Sequence, residues 1–174
     1  MSLSKGEGLI LNVIQRDPGL GKTAVMKVLF ILQEVKGIQT GYDFSIYTYG
    51  PYSSEVMEEI DQLVSSDLIS CMMYPSHTYI GYKLTLQEKG KAMMPCLSDI
   101  ESNAMTDVIQ FEKDKSAKDL ELYSTIIYVD RLFKKNSWEF AIEDLAQKVH
   151  EIKPHFTIRR IQEAYQQLSS ISYV

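Results

Sequence analysis

Thr23 to Val35, TAVMKVLFILQEV, is apolar on nearly every side of a helical turn, with Lys27, Gln33 and Glu34 as its polar exits. A helix of that kind is not stable on a surface. Other elements have to enclose it, so it is expected at the centre of the fold. Ahead of it, Leu9, Ile10, Val13 and Ile14 recur at helical spacing, and Asp17-Pro18-Gly19 breaks that first helix. Gly37 and Gly41 end the central one.

The period then changes. Tyr42 to Tyr49, YDFSIYTY, alternates Phe44, Ile46 and Thr48 against Asp43, Ser45 and Tyr47, which predicts a short strand. Gly50-Pro51 is expected to turn the chain. Ser53 or Ser54 then caps a helix whose apolar stripe is Val56, Ile60, Leu63 and Val64. Leu68 to Tyr74 and Tyr79 to Leu84, on either side of Pro75-Ser76-His77, predict a hairpin. Thr85 with Glu88 has capping-box spacing for a short helix that runs to Met94 and stops at Pro95.

Beyond Pro95 every pattern is helical. One helix is marked by Leu97, Ile100, Ala104 and Val108, another by Leu122, Ile126, Val129 and Phe133. A third is expected from a Ser137 cap through Phe140, Ala141, Leu145 and Val149; a fourth from a Thr157 cap through Ile158, Ile161, Tyr165 and Leu168. The order predicts an α+β, mainly α protein. Residues 1–95 would form a winged-helix domain, helices with a β-hairpin wing, and residues 96–174 an all-helical bundle packed on it or extending it.

Two stretches carry a resemblance. LISCMMYPSHTYIGYKLTLQEKGKAM, from Leu68 to Met93, is similar to the wing of many winged-helix proteins, with Tyr82, Leu84, Thr85, Gly90 and Lys91 in the positions of a Tyr-x-Leu-Thr…Gly-Lys run, two residues later than the commonest spacing. KVLFILQE followed by YDFSIYTYGPYSSEVMEEIDQL resembles the YwgA-like group and the related Panacea domains. The resemblance covers about Leu20 to Met94. It implies a winged helix, and relatives that act as adaptors or antitoxin-like proteins by binding other proteins. No catalytic residue travels with it. Tyr49-Gly50-Pro51-Tyr52-Ser53 also has a plain structural reading: glycine for the turn, proline to pre-set φ, serine to start a helix.

Several function classes lose their footing on composition. At 174 residues the chain suits one domain, or one domain with a helical extension. A net charge of -5 is unlike a general nucleic-acid binder. Cys71 and Cys96 are in no metal-ligand spacing, and two such thiols fit a reducing compartment. The longest apolar run, Val28 to Leu32, is far short of the roughly 20 residues that span a bilayer, and no export signal follows MSLSKGEG. A cytoplasmic protein without membrane, cofactor or metal is expected.

The tempting motif is GLGKT, Gly19 to Thr23. A phosphate-cradling loop needs GxxxxGK[ST], and five residues before Gly21 stands Arg16, after a helical rather than a strand pattern. It reads as a decoy. His150 and His155 stand five apart across an expected turn with no cysteine near in sequence, and with His77 they build no catalytic triad. Catalytic residues: none. An enzyme of unrecognised class would have to assemble its site across distance.

Charge says more. Between Lys36 and Lys83 there is no Lys or Arg, while Asp43, Glu55, Glu58, Glu59, Asp61 and Asp67 give the stretch six negative charges. The same stretch holds seven of the eleven tyrosines. A winged helix bound to DNA presses this region on phosphates, where cations supply the affinity. An acidic, tyrosine-rich face suits a basic or apolar protein surface instead. The expected partner-binding residues are Tyr49, Tyr52, Glu55, Glu58, Glu59 and Tyr79. The alternative is a DNA-binding regulator, as a homodimer, reading through the helix-turn-helix-like pair at 144–168 with Lys148, Lys153, Arg159 and Arg160. A plain helical hairpin competes with that reading, because Lys153-Pro154-His155-Phe156 makes a long turn without glycine.

Overall fold

The computed structural model describes residues 2–75 and 80–174. The middle of the expected hairpin turn, with His77 and Tyr79, lies outside the described residues. The chain is α+β and mostly helical. In order come α1 (Lys5–Arg16), α2 (Lys22–Glu34), β1 (Ser45–Tyr47), β2 (Gly50–Tyr52) and α3 (Ser54–Ser65). Then come β3 (Ile69–Pro75), β4 (Ile80–Leu86), α4 (Glu88–Met93), α5 (Asp99–Lys113), α6 (Ala117–Lys135), α7 (Ile142–Ile152) and α8 (Ile158–Ser170). β1 pairs with β2, and β3 with β4 in an antiparallel register that puts Cys71 opposite Leu84 and Met73 opposite Tyr82. Among the described residues no helix is long and apolar enough to cross a membrane.

The chain divides into two compact units, Met1–Ser45 with Tyr52–Asp114, and Ile46–Pro51 with Lys115–Val174. In the first, α1, α2 and α3 pack pairwise, and α1 and α2 also meet β4 and α5. The central helix is enclosed as its sequence requires: Val25, Val28, Leu29, Phe30, Ile31 and Leu32 are all buried. Lys27, expected as a polar exit, is only 3% exposed, so the enclosure reaches that side too. α1 begins with a reciprocal cap in which Ser4 Oγ accepts from the Glu7 N–H at 2.9 Å and Glu7 Oε2 from the Ser4 N–H at 2.7 Å. Between α1 and α2, the Gly19 N–H donates to Leu84 O and the Leu84 N–H to Leu20 O, both at 2.9 Å, so this connection runs along β4 as a third short strand would.

In the second unit α6, α7 and α8 pack pairwise around Leu122, Ile126, Phe133, Leu145, Val149, Ile161 and Leu168. Thr157 caps α8 as its sequence predicts, its hydroxyl accepting from the Arg160 N–H at 3.2 Å.

Four local expectations need correction. The strand predicted over Tyr42 to Tyr49 is confined to Ser45–Tyr47, because Tyr42 and Phe44 pack edge-on against each other, and Phe44 likewise against Phe30, at 5.3–6.2 Å. Gly50-Pro51 starts β2 instead of making the turn, which falls on Thr48-Tyr49; Gly50 has φ +102, open to glycine and strained for other residues. Thr85 does not cap α4. It stands in the β ladder opposite Ser70, and Gln87 precedes the helix with no side-chain cap. Ser137, with φ +54, closes α6 through its N–H to Lys134 O rather than opening α7. Ala141 precedes α7, and Asp144 Oδ2 accepts its N–H at 2.9 Å.

Candidate functional site: an acidic helix face and cavity

α3 carries Glu55, Glu58, Glu59 and Asp61 and no cation. Its buried stripe of Val56, Ile60 and Leu63 turns Glu55, Glu58, Asp61 and Gln62 to solvent. Asp61 is neutralised by Lys22 of α2, whose Nζ lies 2.6 Å from Oδ1 and 5.5 Å from the centroid of the Tyr82 ring. Glu55, Glu58 and Glu59 have no cation partner among the described residues. Glu55 Oε2 accepts from the Asp43 N–H at 3.1 Å, which fixes its carboxylate beside the helix start.

Beside this face is a cavity of about 370 Å³ lined by Thr40, Tyr42, Glu55, Glu58, Glu59 and Gln62. Its back wall is Tyr42, 6% exposed, whose hydroxyl donates to Glu59 Oε2, while Glu59 Oε1 accepts from Ser4 Oγ at 2.7 Å. Burial first, then the bond to Glu59 and the charges of Glu59, Glu7 and Glu55, push the Tyr42 phenol well above the usual tyrosine range. It stays protonated and can only donate to carboxylates. The close approach depends on Gly6: a Cβ there would come within 2.1 Å of Tyr42 Oη and 2.6 Å of Glu59 Oε2. Lys5 lines the cavity edge, but its Nζ is 3.1 Å from Glu101 Oε1. The cavity therefore offers a cluster of carboxylates to a cation or a hydrogen-bond donor. Among the described residues no group of three or more His, Cys, Asp or Glu side chains could hold a metal ion.

Glu55, Glu58 and Glu59 thus come together as expected residues, with the 36%-exposed Tyr52 just before α3. Tyr49 belongs to the second unit, where it is 67% exposed. Tyr79 lies outside the described residues. Tyr42, Thr40 and Gly6 were not singled out by sequence. The Ser4-x-x-Glu7 spacing is the one local signal that marks this corner.

The cations of the helix-turn-helix-like pair are all engaged. Lys148 Nζ is 3.5 Å from Glu151 within α7, and Arg159 Nε 3.0 Å from Glu163 within α8, both exposed pairs. Arg160 Nη2 is 2.8 Å from Asp119 Oδ1; that bond raises the Arg160 pKa, while Ser116 and then Arg160 hold the Asp119 carboxyl below its usual range. Lys153 is 4% exposed and points inward, to Glu121 at 3.0 Å and to the backbone of the β1–β2 turn. In the GLGKT stretch, Lys22 is the residue held by Asp61, and α1 precedes the loop.

One further group is perturbed. Glu112 of α5 is 8% exposed; burial, then the neighbouring Asp17 carboxylate, push its pKa up to about 7.

No protein-family model matches the chain. It is similar to a protein of Bacillus subtilis (strain 168) that bears the name Uncharacterized protein YwgA, with 27% identity over 158 residues, 89% of either chain. At that length the likeness runs far beyond Leu20 to Met94 and takes in most of the C-terminal helices, where the sequence carries no recognisable signature.

Proposed function

We propose that the chain is a non-enzymatic interaction module of the cytoplasm, whose first unit is a winged helix that receives a basic segment of a protein partner on α3. Supporting the winged-helix reading are the pairwise packing of α1, α2 and α3, the β3–β4 hairpin, and the α1–α2 connection bonded to β4 as a third short strand. The observation that carries the functional reading is the face where a DNA-reading helix would need cations. It holds Glu55 and Glu58 at the surface and Glu59 in the cavity wall, with no Lys or Arg on α3. Phosphates meet repulsion there, whereas a lysine or arginine of a partner meets three carboxylates.

DNA reading through α7 and α8 is the poorer account. Its four cations are matched by carboxylates, and Lys153 has no path to a duplex.

The test is affinity purification from the native cells with the wild-type chain and with Glu55→Lys/Glu58→Lys. The proposal expects one protein recovered in stoichiometric amount, released by raised salt and lost with the double variant. Recovery of DNA in its place, or equal recovery by both chains, would overturn it.

A further inference from the structure

The first unit holds a second cavity, of about 340 Å³, where the last turn of α1 meets α5. Arg16 of α1 lines it together with Ser102, Thr106, Ile109, Gln110 and Lys113 of α5. Steps of three and four residues place the five α5 positions on one helix face. No carboxylate lines this cavity, in contrast to the one beside α3. Arg16 Nη1 donates to Ser102 O at 2.8 Å and to Thr106 Oγ1 at 3.0 Å, and Nη2 to Ser102 Oγ at 2.9 Å. All three acceptors are neutral. A guanidinium has five N–H groups, so Nε–H and one Nη2–H remain, the edge that grips two oxygens of an oxyanion side by side. The acids that flank the α5 face are spent elsewhere, Glu101 on Lys5 and Asp107 on Lys36. Asp17 and Glu112, the sequence neighbours of the two cations, face each other: burial and then the Asp17 charge hold the proton on Glu112 up to about pH 7. Among the described residues neither Arg16 nor Lys113 has a carboxylate at ion-pair distance. Each cation also stands in the last turn of its helix, but a helix end carries only about half a charge against the full charge of each side chain.

The geometry points to an oxyanion site: Arg16, through Nε and Nη2, and Lys113 take one phosphate group, with the Ser102 hydroxyl and the Gln110 amide as neutral donors. The site is already half assembled, because the bonds to Ser102 and Thr106 hold the guanidinium in place before a ligand arrives. Two cations suit a single terminal phosphate and not the run of phosphates along a duplex. The volume is at the lower end of small-molecule pockets, about 300–1,000 Å³, and leaves room beside Ile109 for a small organic group carrying the phosphate. This site is independent of the α3 reading, which concerns cations.

The test titrates inorganic phosphate, glycerol phosphate and acetate into the intact chain at neutral pH and constant ionic strength. Calorimetry measures affinity, and backbone amide shifts locate the site. Expected is saturable binding of both phosphates, with shifts centred on Arg16 and residues 102–113. Arg16→Lys keeps the charge but loses the fork, and should weaken binding at least tenfold. Because Arg16 also ties α1 to α5, that variant can lose stability; exposed Lys113→Gln carries the test without this risk and should weaken binding at least fivefold. Lys89→Gln, which removes a cation outside the cavity, should change affinity less than twofold. Tighter binding of glycerol phosphate assigns the site to a phosphomonoester, and equal binding of the two to free phosphate. The inference is overturned if the folded wild type shows no saturable phosphate binding, if the shifts fall elsewhere, if acetate binds as tightly, or if Lys113→Gln binds as the wild type does.

Discussion

Two buried polar anchors, one in each unit, solve opposite problems. In the first, Tyr42 and Ser4 spend neutral hydroxyl donors on Glu59, and the neighbouring Glu55 and Glu58 keep their charge without a cation. In the second, a carboxylate and two carbonyls are matched to a single ammonium, and the charge is cancelled. The units differ in the same sense as a whole: nine Lys and Arg against fifteen Asp and Glu in the first, nine against eight in the second. A neutralised anchor is a stability device. An anchor left with net negative charge keeps its field directed at solvent, where a binding partner of opposite charge can use it.

The contrast is broken most severely by Lys153→Met. It leaves Glu121 buried and uncompensated and two turn carbonyls without a donor, and should cost about 3–5 kcal/mol in chemical denaturation. A cost under about 1 kcal/mol would mean the second anchor is not what holds its unit.

The acid excess of the first unit should appear as pH dependence. The folded pKa of Glu112 is raised to about 7, above the ordinary value near 4.5, so the folded state holds its proton more tightly than the unfolded chain. That contribution is complete below about pH 4.5 and is lost as pH rises through 7, a decline of about 2–3 kcal/mol between pH 5 and pH 8. Urea unfolding at pH 5 and pH 8 measures it, and Glu112→Gln should remove most of the difference. A wild-type profile that is flat, or that rises over this window, contradicts the placement of Glu112 beside Asp17.

Gly6→Ala comes next. Its methyl would force Tyr42 and Glu59 apart, a cost of about 1–3 kcal/mol on the thermal midpoint. The smallest effect is the most telling. Glu58→Gln removes an exposed charge with no cation partner among the described residues and should shift stability by no more than about 0.5 kcal/mol, while weakening partner capture. If it stabilises the fold strongly, α3 repulsion rather than recognition dominates that surface.

How much of this was legible depended on range. α2 and α8 declare themselves through apolar spacing alone, and Thr157 caps α8 where its sequence predicts. Thr85 and Ser137 have the chemistry of caps, but a ladder partner at Ser70 claims the first, and the end of α6 the second. Local spacing cannot register such competition. Lys153 is the clearest case. By composition it belongs to a basic hairpin, and what buries it is the pair of carbonyls at Tyr47 and Thr48, more than a hundred residues earlier. The acidity of α3 was legible as a run without cations; the Tyr42–Glu59 bond that shapes its cavity was not, because it joins a loop to a helix at a separation of seventeen.

The central claim, that α3 is a surface for cations and not for phosphates, is met most directly by titrating fluorescent deca-lysine and a duplex oligonucleotide against the wild-type chain and Glu55→Lys/Glu58→Lys, at 50 and 300 mM salt as about the range over which such fields are screened. The account predicts that deca-lysine binds the wild type, weakens at least fivefold in the higher salt and is lost with the variant, and that the duplex binds only after charge reversal, if at all. Tight duplex binding by the wild type, untouched by the two substitutions, would contradict it.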